Sequence, residues 1–385
     1  MRSLIYADHA ATTELSPAAY AAMQPWLQEK YGNPSTLYSL AREPRRAVAS
    51  ARETIADCIG AKPEEIFFTS GGTEADNWAL TGVAFRKPDR RGRIITSSIE
   101  HHAILHTCDF LKRMGYDICV LPADRYGIVH ADTLENSLNT NTLLVSIMLA
   151  NNEIGTIQPI KDLAEKAHRN GSLFHTDAVQ AVGHIPIDVK MIDVDMLSAS
   201  AHKFNGPRGV GFLFIREGVF VEPFLHGGAQ EKGRRAGTEN VAGIVGMAEA
   251  LREHYKHLNH ETVHLNSLTD TLLSELRRLH LDFISNGSEN RIPGSLSLSF
   301  RNVDGEMLLH RLDLMGTAVA TGSACDSKNT VLSHVIQAIG VPEDYAKGTI
   351  RITLGMDNNE EQSIVLAHQI SQILKSAYRE DTVNG

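Results

Sequence analysis

Cysteine is scarce in this sequence, and no long apolar run is present. Four of the 385 residues are cysteines, Cys58, Cys108, Cys119 and Cys325, and no two of them form a C-x-x-C pair. This spacing lacks the usual patterns of zinc sites and redox-active disulfides. No stretch approaches the roughly 18 apolar residues that a membrane-spanning helix requires, and the first residues lack the apolar segment of a secretory signal. A cytoplasmic location is the default expectation.

Positive charge is also in short supply. The chain has 37 Lys and Arg against 46 Asp and Glu, a formal net charge of -9. No broad basic surface for nucleic acids or anionic membranes is expected, so small molecules and proteins are the favoured partners. The 42% hydrophobic and 22% charged composition is typical of a folded chain. At this length we expect one large and one smaller domain.

Short apolar segments alternate with helical patterns through the first part of the chain, after helices predicted at Ser16–Glu29 and Arg42–Ile59. Strands are predicted at Ile66–Thr69, Arg93–Ser97, Ile118–Leu121, Leu143–Ala150, Leu173–Thr176, Val194–Ala201 and Gly211–Ile215. Helices are predicted between them at Glu74–Phe85, Ala103–Met114, Asp132–Leu138 and Ile160–Arg169. This alternation predicts an α/β fold with a mainly parallel sheet covered by helices on both faces.

The remainder of the chain predicts a smaller α+β unit. A helix from Val241 to about Leu258 leads into it. Its strands are predicted at Leu296–Phe300, Ala318–Ala320 and Ile350–Leu354, and its helices at Gly305–Leu314, Val331–Ile339 and Glu360–Ser376.

One lysine follows a predicted buried strand directly. Lys203 comes after Val194–Ala201, and Gly206 and Pro207 then break regular structure before Gly211–Ile215. A lysine whose pKa is lowered by desolvation is an amine nucleophile that can form a Schiff base with an aldehyde. The alternative is a solvated loop lysine, the usual state of this residue type.

Other polar side chains also follow predicted strands. The turn Ser70-Gly-Gly-Thr73 opens onto a helix N-terminus, which favours a phosphate group, although an ordinary glycine turn is the alternative. The further residues in such positions are His101, Asn152, Asp177 and Gln180. Ligands of open α/β sheets bind beyond the carboxyl ends of the strands, so we expect these side chains to share one site.

Lys203 lies in the segment Ser198-Ala-Ser-Ala-His-Lys203, which is followed by Gly206-Pro-Arg-Gly209. Further motifs occur in order along the chain: Asp8-His-Ala-Ala-Thr12, Tyr31-Gly-Asn-Pro34, Thr69-Ser-Gly-Gly-Thr-Glu-Ala-Asp-Asn77, Glu100-His-His102, Asn151-Asn-Glu-Ile-Gly155, His175-Thr-Asp-Ala-Val-Gln180, Arg235-Ala-Gly-Thr-Glu-Asn240 and Gly322-Ser-Ala-Cys325. Together these motifs resemble those of the cysteine desulfurases, class V aminotransferase-like enzymes that use pyridoxal 5'-phosphate (PLP), and the segment that ends at Lys203 resembles their PLP lysine segment.

The resemblance implies a fold type I PLP-dependent transferase that acts as a homodimer. The large PLP-binding domain would comprise residues 14–257. The small domain would comprise residues 1–13 and 258–385 and would carry the catalytic cysteine loop.

The resemblance also implies roles for individual residues. Lys203, Cys325 and His101 would be catalytic, and Arg351 with Asn152 would bind the substrate. The expected PLP ligands are Gly72, Thr73, His101, Asn152, Asp177, Gln180, Ser200, His202, Lys203 and, from a second subunit, Thr238. No resident metal is expected, apart from a transient iron–sulfur contact at Cys325.

Three of these roles have simple alternatives. Asp177 suits the pyridine nitrogen, because a carboxylate favours the protonated ring, but an Asp after a strand often caps a turn. Arg351 suits a carboxylate, although a structural ion pair is the alternative. Cys325 could equally be an ordinary loop cysteine, and Asp326 beside it, where many relatives have Ser or Thr, would raise its thiol pKa. His9 departs from the aromatic or Asn residue common at its position, and we assign no effect to it.

The expected reaction converts L-cysteine to L-alanine and leaves the sulfur on Cys325 as a persulfide. An iron–sulfur scaffold or a thiolation enzyme would accept that sulfur, and both pathways stay open. A selenocysteine lyase or another class V transferase is the alternative within enzymes. A PLP-binding scaffold without turnover is the alternative of another class.

Overall fold

The computed structural model describes residues 4–86, 91–322 and 332–384, with side chains up to residue 377. Its strands are β1 (Ile5–Tyr6), β2 (Ile66–Thr69), β3 (Arg93–Ser97), β4 (Asp117–Leu121), β5 (Thr142–Ser146), β6 (Leu173–Asp177), β7 (Met196–Ser200), β8 (Gly211–Ile215), β9 (Phe283–Asn286), β10 (Ser295–Phe300), β11 (Thr317–Ala318) and β12 (Thr349–Thr353). Its helices are α1 (Pro17–Gln28), α2 (Arg42–Ile59), α3 (Gly72–Ala84), α4 (His102–Arg113), α5 (Ala131–Ser137), α6 (Ile160–Arg169), α7 (Val241–Arg278), α8 (Gly305–Leu314), α9 (His334–Ala338), α10 (Glu343–Ala346) and α11 (Glu360–Asn384).

The large sheet has seven strands in the order β2-β8-β7-β6-β5-β3-β4 within the described residues. The pairs from β4 through β3, β5 and β6 to β7 are parallel, as the alternation of strands and helices predicts. Strand β8 runs antiparallel to both β7 and β2. The short turn between β7 and β8 explains this direction, because a parallel return needs a crossover of a dozen or more residues.

Helices cover both faces of this sheet. Adjacent residues within a strand point to opposite faces, so Phe67 and Phe68 enter different hydrophobic clusters, as do Leu144 and Val145. Every residue of β7 is buried. Burial on both faces accounts for the continuous apolar runs from which these strands were predicted.

A second core forms around the antiparallel sheet β12-β10-β9. Helix α7 extends to Arg278, so its predicted end near Leu258 is wrong. The helix continues because Leu265, Leu268, Leu272 and Leu276 recur every three or four residues and pack into this second core. The proposed domain boundary at residues 257 and 258 lies within this continuous helix and remains a proposal.

Several predicted bounds also change. Strand β5 ends at Ser146 rather than Ala150, and α9 begins at His334 because Ser333 caps it. Strand β1, strand β9 and helix α10, which have two, four and four residues, were not predicted. No helix in the described ranges has the length and apolar character to cross a membrane.

The N-terminal segment connects the two cores. Strand β1 pairs in parallel with β11, and Asp8 then bridges to Thr353 of β12. The backbone N–H of Thr13 donates to the His202 carbonyl at 2.9 Å, beside the large sheet. Residues 8–13 therefore pass over the carboxyl ends of the parallel strands.

Candidate active site

A cavity of about 220 Å³ lies beyond the carboxyl ends of the parallel strands. It is lined by Ala10, Ala11, Gly72, Thr73, Asp76, His101, Met148, Asn152, Asp177, Val179, Gln180, Ser200, His202, Lys203 and Arg351. Strands β6 and β7 deliver Asp177 and Ser200 at their last residues. The cavity brings together every predicted site residue except Thr238 and Cys325.

Lys203 ends a short 3₁₀ turn that follows β7 directly. Its Nζ donates hydrogen bonds to the carbonyl oxygens of Ala10 at 2.5 Å and Ala11 at 2.9 Å. Its own carbonyl accepts a hydrogen bond from His184 Nε2 at 2.9 Å. The lysine is half-buried and held at both its backbone and its amine, so the alternative of a freely solvated loop lysine is excluded.

Asp177 supplies a buried carboxyl group, with only 5% of the residue exposed. One of its oxygens, Oδ1, accepts the Val179 backbone N–H at 2.9 Å. Burial raises the pKa of Asp177 to about 6, although the Val179 N–H and the charge of Lys203 oppose this shift. The carboxyl group therefore exchanges its proton within reach of neutral pH.

Another part of the cavity is formed by the turn that opens α3. Gly72 is its first helical residue, and a Cβ built there would lie 2.5 Å from Val179 Cγ2. The carboxylate of Glu74 stabilises the turn by accepting the Ser70 N–H at 2.8 Å and pairing with Arg235 Nε at 2.8 Å. Free N–H groups at a helix N-terminus attract anions.

Two neighbours of Lys203 add polar groups to the same cavity. Ser200 is buried, and His202 Nδ1 lies 3.2 Å from Thr12 Oγ1. Burial, followed by the charges of Lys203 and Arg208, lowers the pKa of His202 to about 4. His202 is consequently neutral at pH 7.

His101 is the N-cap of α4, and its Nδ1 accepts the Ala103 backbone N–H at 3.1 Å. Since Nδ1 acts as an acceptor, the proton of the neutral ring is on Nε2. The flat ring therefore faces the cavity with a defined tautomer.

Arg351 is a buried arginine in β12, with 2% of the residue exposed. Its Nη1 donates to the Asn152 carbonyl at 2.9 Å, and its Nη2 pairs with Asp8 Oδ1 at 2.7 Å. Its Nε is buried and has no hydrogen-bond partner among the described residues. The guanidinium is thus fixed in orientation, and these two contacts use two of its five N–H groups.

Thr238 and Cys325 are the predicted site residues that do not line the cavity. Thr238 is exposed, so the expectation that it serves a second subunit stays a prediction. Cys325 and its neighbour Asp326 lie outside the described residues. Within the described ranges, no group of three or more His, Cys, Asp or Glu side chains could hold a metal ion.

The sequence profile described as Aminotransferase class-V matches residues 5–364. Cysteine desulfurase IscS of Dictyoglomus turgidum is 50% identical over 362 residues, which are 94% of this chain and 92% of that protein. The chain belongs to the cysteine desulfurase family of class-V aminotransferases. The recognised resemblance is therefore confirmed.

Solved structures of this family share the fold. A structure described as a NifS-like protein has a TM-score of 0.90 and 40% identity, and covers 97% of this chain and 99% of its own. Another, described as SspA in complex with cysteine, has a TM-score of 0.82 and 35% identity, and covers 91% and 99%. These similarities confirm the predicted fold type I α/β class.

Three sets of polar groups at the site of this desulfurase-family chain were not predicted from its sequence. The Ala10 and Ala11 carbonyls contact Lys203, and Asp8 pairs with Arg351. Asp76 lines the cavity from the second turn of α3. Asp8 and Asp76 both lie in motifs of the family resemblance, but no local pattern shows that Asp8 pairs with Arg351 or that Asp76 lines the cavity.

Proposed function

We propose that this chain is a PLP-dependent cysteine desulfurase. It would convert L-cysteine to L-alanine and take up the sulfur on Cys325 as a persulfide. The main support for this proposal is that the Lys203 amine, the buried Asp177 carboxyl group and the oriented Arg351 guanidinium line one cavity. The 50% identity to a protein named cysteine desulfurase supports the choice of substrate.

The cavity has groups suited to each end of PLP. Lys203 offers an amine to the aldehyde, and Asp177 offers a carboxyl group to the ring nitrogen. The α3 N-terminus suits the phosphate, with Ser200 and His202 nearby, and a side chain at Gly72 would crowd Val179 there. When bound, PLP supplies an electron sink that makes the substrate Cα–H acidic and its Cβ–S bond labile.

The protein's own groups then hold the reactants and move protons. Lys203 Nζ is the amine that attaches the cofactor and the base that accepts the Cα proton. An ionised Asp177 keeps a proton on the ring nitrogen. His101 offers a flat face for ring stacking and an Nε2 proton, and Asn152 and Gln180 add polar contacts.

Arg351 would bind the α-carboxylate of L-cysteine. Asp8 and the Asn152 carbonyl orient the guanidinium, which lines the cavity and has further N–H groups on Nη1 and Nη2 to offer the substrate. A guanidinium fork suits a planar carboxylate, and charge-assisted hydrogen bonds are the stronger kind.

Sulfur transfer requires a thiolate, and Cys325 is the proposed nucleophile. Its sulfur forms a bond to the substrate sulfur as the substrate Cβ–S bond breaks, and Cβ gains a proton. Cysteine and an enzyme thiol thus become alanine and an enzyme persulfide, so no outside oxidant is needed. An iron–sulfur scaffold or a thiolation enzyme would then accept the persulfide sulfur.

We also propose a homodimer in which Thr238 completes the partner's site. The segment that carries Thr238 is anchored at two points, by Arg235 to Glu74 and by Glu231 to Arg52 at 2.6 Å. Thr238 itself is exposed between that anchored part and α7. This arrangement leaves it accessible to another chain.

The test is alanine formation by the purified protein with PLP, L-cysteine and a thiol reductant. The proposal expects catalytic alanine and sulfide in equal amounts. Alanine formed from selenocysteine alone would make the protein a selenocysteine lyase. No alanine from either substrate, with PLP still bound, would favour the scaffold alternative.

A further inference from the structure

Asp76 is a buried carboxyl group that the proposed reaction does not use. It lies in the second turn of α3, is 1% exposed, and lines the same cavity as Asp177. Its Oδ1 is fully buried and has no hydrogen-bond partner among the described residues. An ionised carboxylate in such surroundings is costly unless another group compensates the charge.

No nearby cation compensates Asp76 within the described part of the chain. The basic side chain paired with it is His175, whose Nε2 is 3.8 Å from Asp76 Oδ1. Both nitrogens of His175 lie 2.9 Å from serine hydroxyls, those of Ser146 and Ser198. Burial lowers the pKa of His175 to about 3, so the ring is neutral at pH 7.

The other titratable neighbours are acids. Asp177 and Glu100 both act on Asp76 through their charges, and Glu100 is itself buried. Glu100 accepts hydrogen bonds from Ser97 Oγ at 2.6 Å and from the Met148 N–H at 3.0 Å, yet burial raises its pKa to about 8, so Glu100 is mostly neutral at pH 7. Asp76 and Asp177 line one water-poor cavity and do not ionise together readily, so a proton stays with one of them.

The surroundings decide which acid retains the proton. Asp177 has a backbone N–H donor and the charge of Lys203 to stabilise its ionised form. For Asp76, burial and then the charge of Asp177 raise the pKa well above its ordinary value, and only the Ser198 hydroxyl opposes them. Of the two aspartates, Asp76 is therefore the neutral acid.

We propose that Asp76 is a positioning residue that carries the proton of an Asp76–Asp177 pair, so that Asp177 holds the negative charge facing the cofactor. The part that concerns the cofactor rests on the proposed function. The protonation of Asp76 does not, because it follows from groups within the chain.

The test compares the thermal unfolding of the wild type and Asp76→Asn between pH 5 and pH 8. When the pKa of a carboxyl group is higher in the folded protein than in the unfolded chain, the protein becomes less stable as pH rises from the unfolded pKa to the folded pKa. Asparagine does not titrate and resembles the neutral acid. The unfolding temperature of Asp76→Asn minus that of the wild type should therefore increase with pH. For the matched control, Asp109→Asn at an exposed position of α4, the same difference should stay constant.

A difference in unfolding temperature between Asp76→Asn and the wild type that stays constant or falls as pH increases would overturn the proposal. Infrared difference spectra at pH 7 give a second measurement: wild type minus variant should contain the band of a neutral carboxyl group, and a carboxylate band instead would contradict it. Asp76→Ser replaces Asp76→Asn if the amide does not fold. If the wild type forms alanine but the difference in unfolding temperature does not change with pH, only the inference about Asp76 is refuted. If that difference increases with pH but the wild type forms no alanine, only the proposed function is refuted.

Discussion

Replacing Arg351 by lysine tests the substrate end of the cavity. The guanidinium is held by the Asn152 carbonyl at 2.9 Å and by Asp8 at 2.7 Å, which leaves further N–H groups on Nη1 and Nη2 for the substrate. A lysine keeps the charge but has a single nitrogen, so it cannot serve all three partners. Losing one charge-assisted hydrogen bond costs about 1.5–3 kcal/mol. That is roughly a 10- to 150-fold rise in KM for L-cysteine if binding alone is affected.

The assay is alanine formation as a function of L-cysteine concentration. Arg252→Lys is the matched control, because Arg252 is largely exposed and pairs with Glu249 on the surface of α7. Cysteamine, which lacks the carboxylate, should perturb the cofactor's visible absorbance at the same concentration in wild type and Arg351→Lys. An unchanged KM for L-cysteine, or an equal loss of affinity for cysteamine, would refute the assignment.

Three further predictions concern the amine, the second subunit and pH. Lys203→Ala should abolish turnover and the covalent attachment of PLP that borohydride fixes, and trapping at the wild-type level would contradict the lysine's role. Lys203→Ala and Thr238→Ala, each impaired alone, should regain activity when their subunits are exchanged, because one site of the mixed dimer has both native residues; no recovery despite proven exchange would argue against a shared site. The hydrogen bond to Asp195 raises the pKa of His168. The stabilisation of the folded protein by His168 is thus complete below the unfolded pKa of about 6.5 and is lost as pH rises through the folded pKa. The difference in unfolding midpoint between wild type and His168→Gln should shrink from pH 5.5 to pH 9, and a constant difference would refute this.

Most of the large sheet could be predicted from sequence because its strands are short, buried and separated by helices. The apolar runs around Phe67, Leu144 and Phe174 identify such strands, and helix α2 matches its predicted bounds. The antiparallel direction of β8 was not predicted, since an apolar run carries no information about direction. The length of α7 was missed because its polar His and Lys residues conceal the leucines that enter the second core.

The site was predictable where motifs follow strands and less so where distant segments meet. Lys203 and Asp177 each stand at or just after the end of a buried strand, so the topology brings them together. The contacts of Asp8 with Arg351 join residues 343 positions apart, and no local pattern reports such a pair. Backbone carbonyls such as that of Ala10 are equally invisible in a sequence, because every residue has one.

Cys325 is the proposed acceptor of the substrate sulfur. Peptide mapping by mass spectrometry, after exposure to L-cysteine without reductant, tests it most directly. We expect one added sulfur on Cys325 and little on Cys58 or Cys108, whose thiol pKa values burial raises to about 11 and about 12. Cys325→Ser should retain PLP and bind L-cysteine but fail in sulfur transfer. Added sulfur on another cysteine, or alanine and sulfide from Cys325→Ser at the wild-type rate, would show that Cys325 is not the sulfur acceptor.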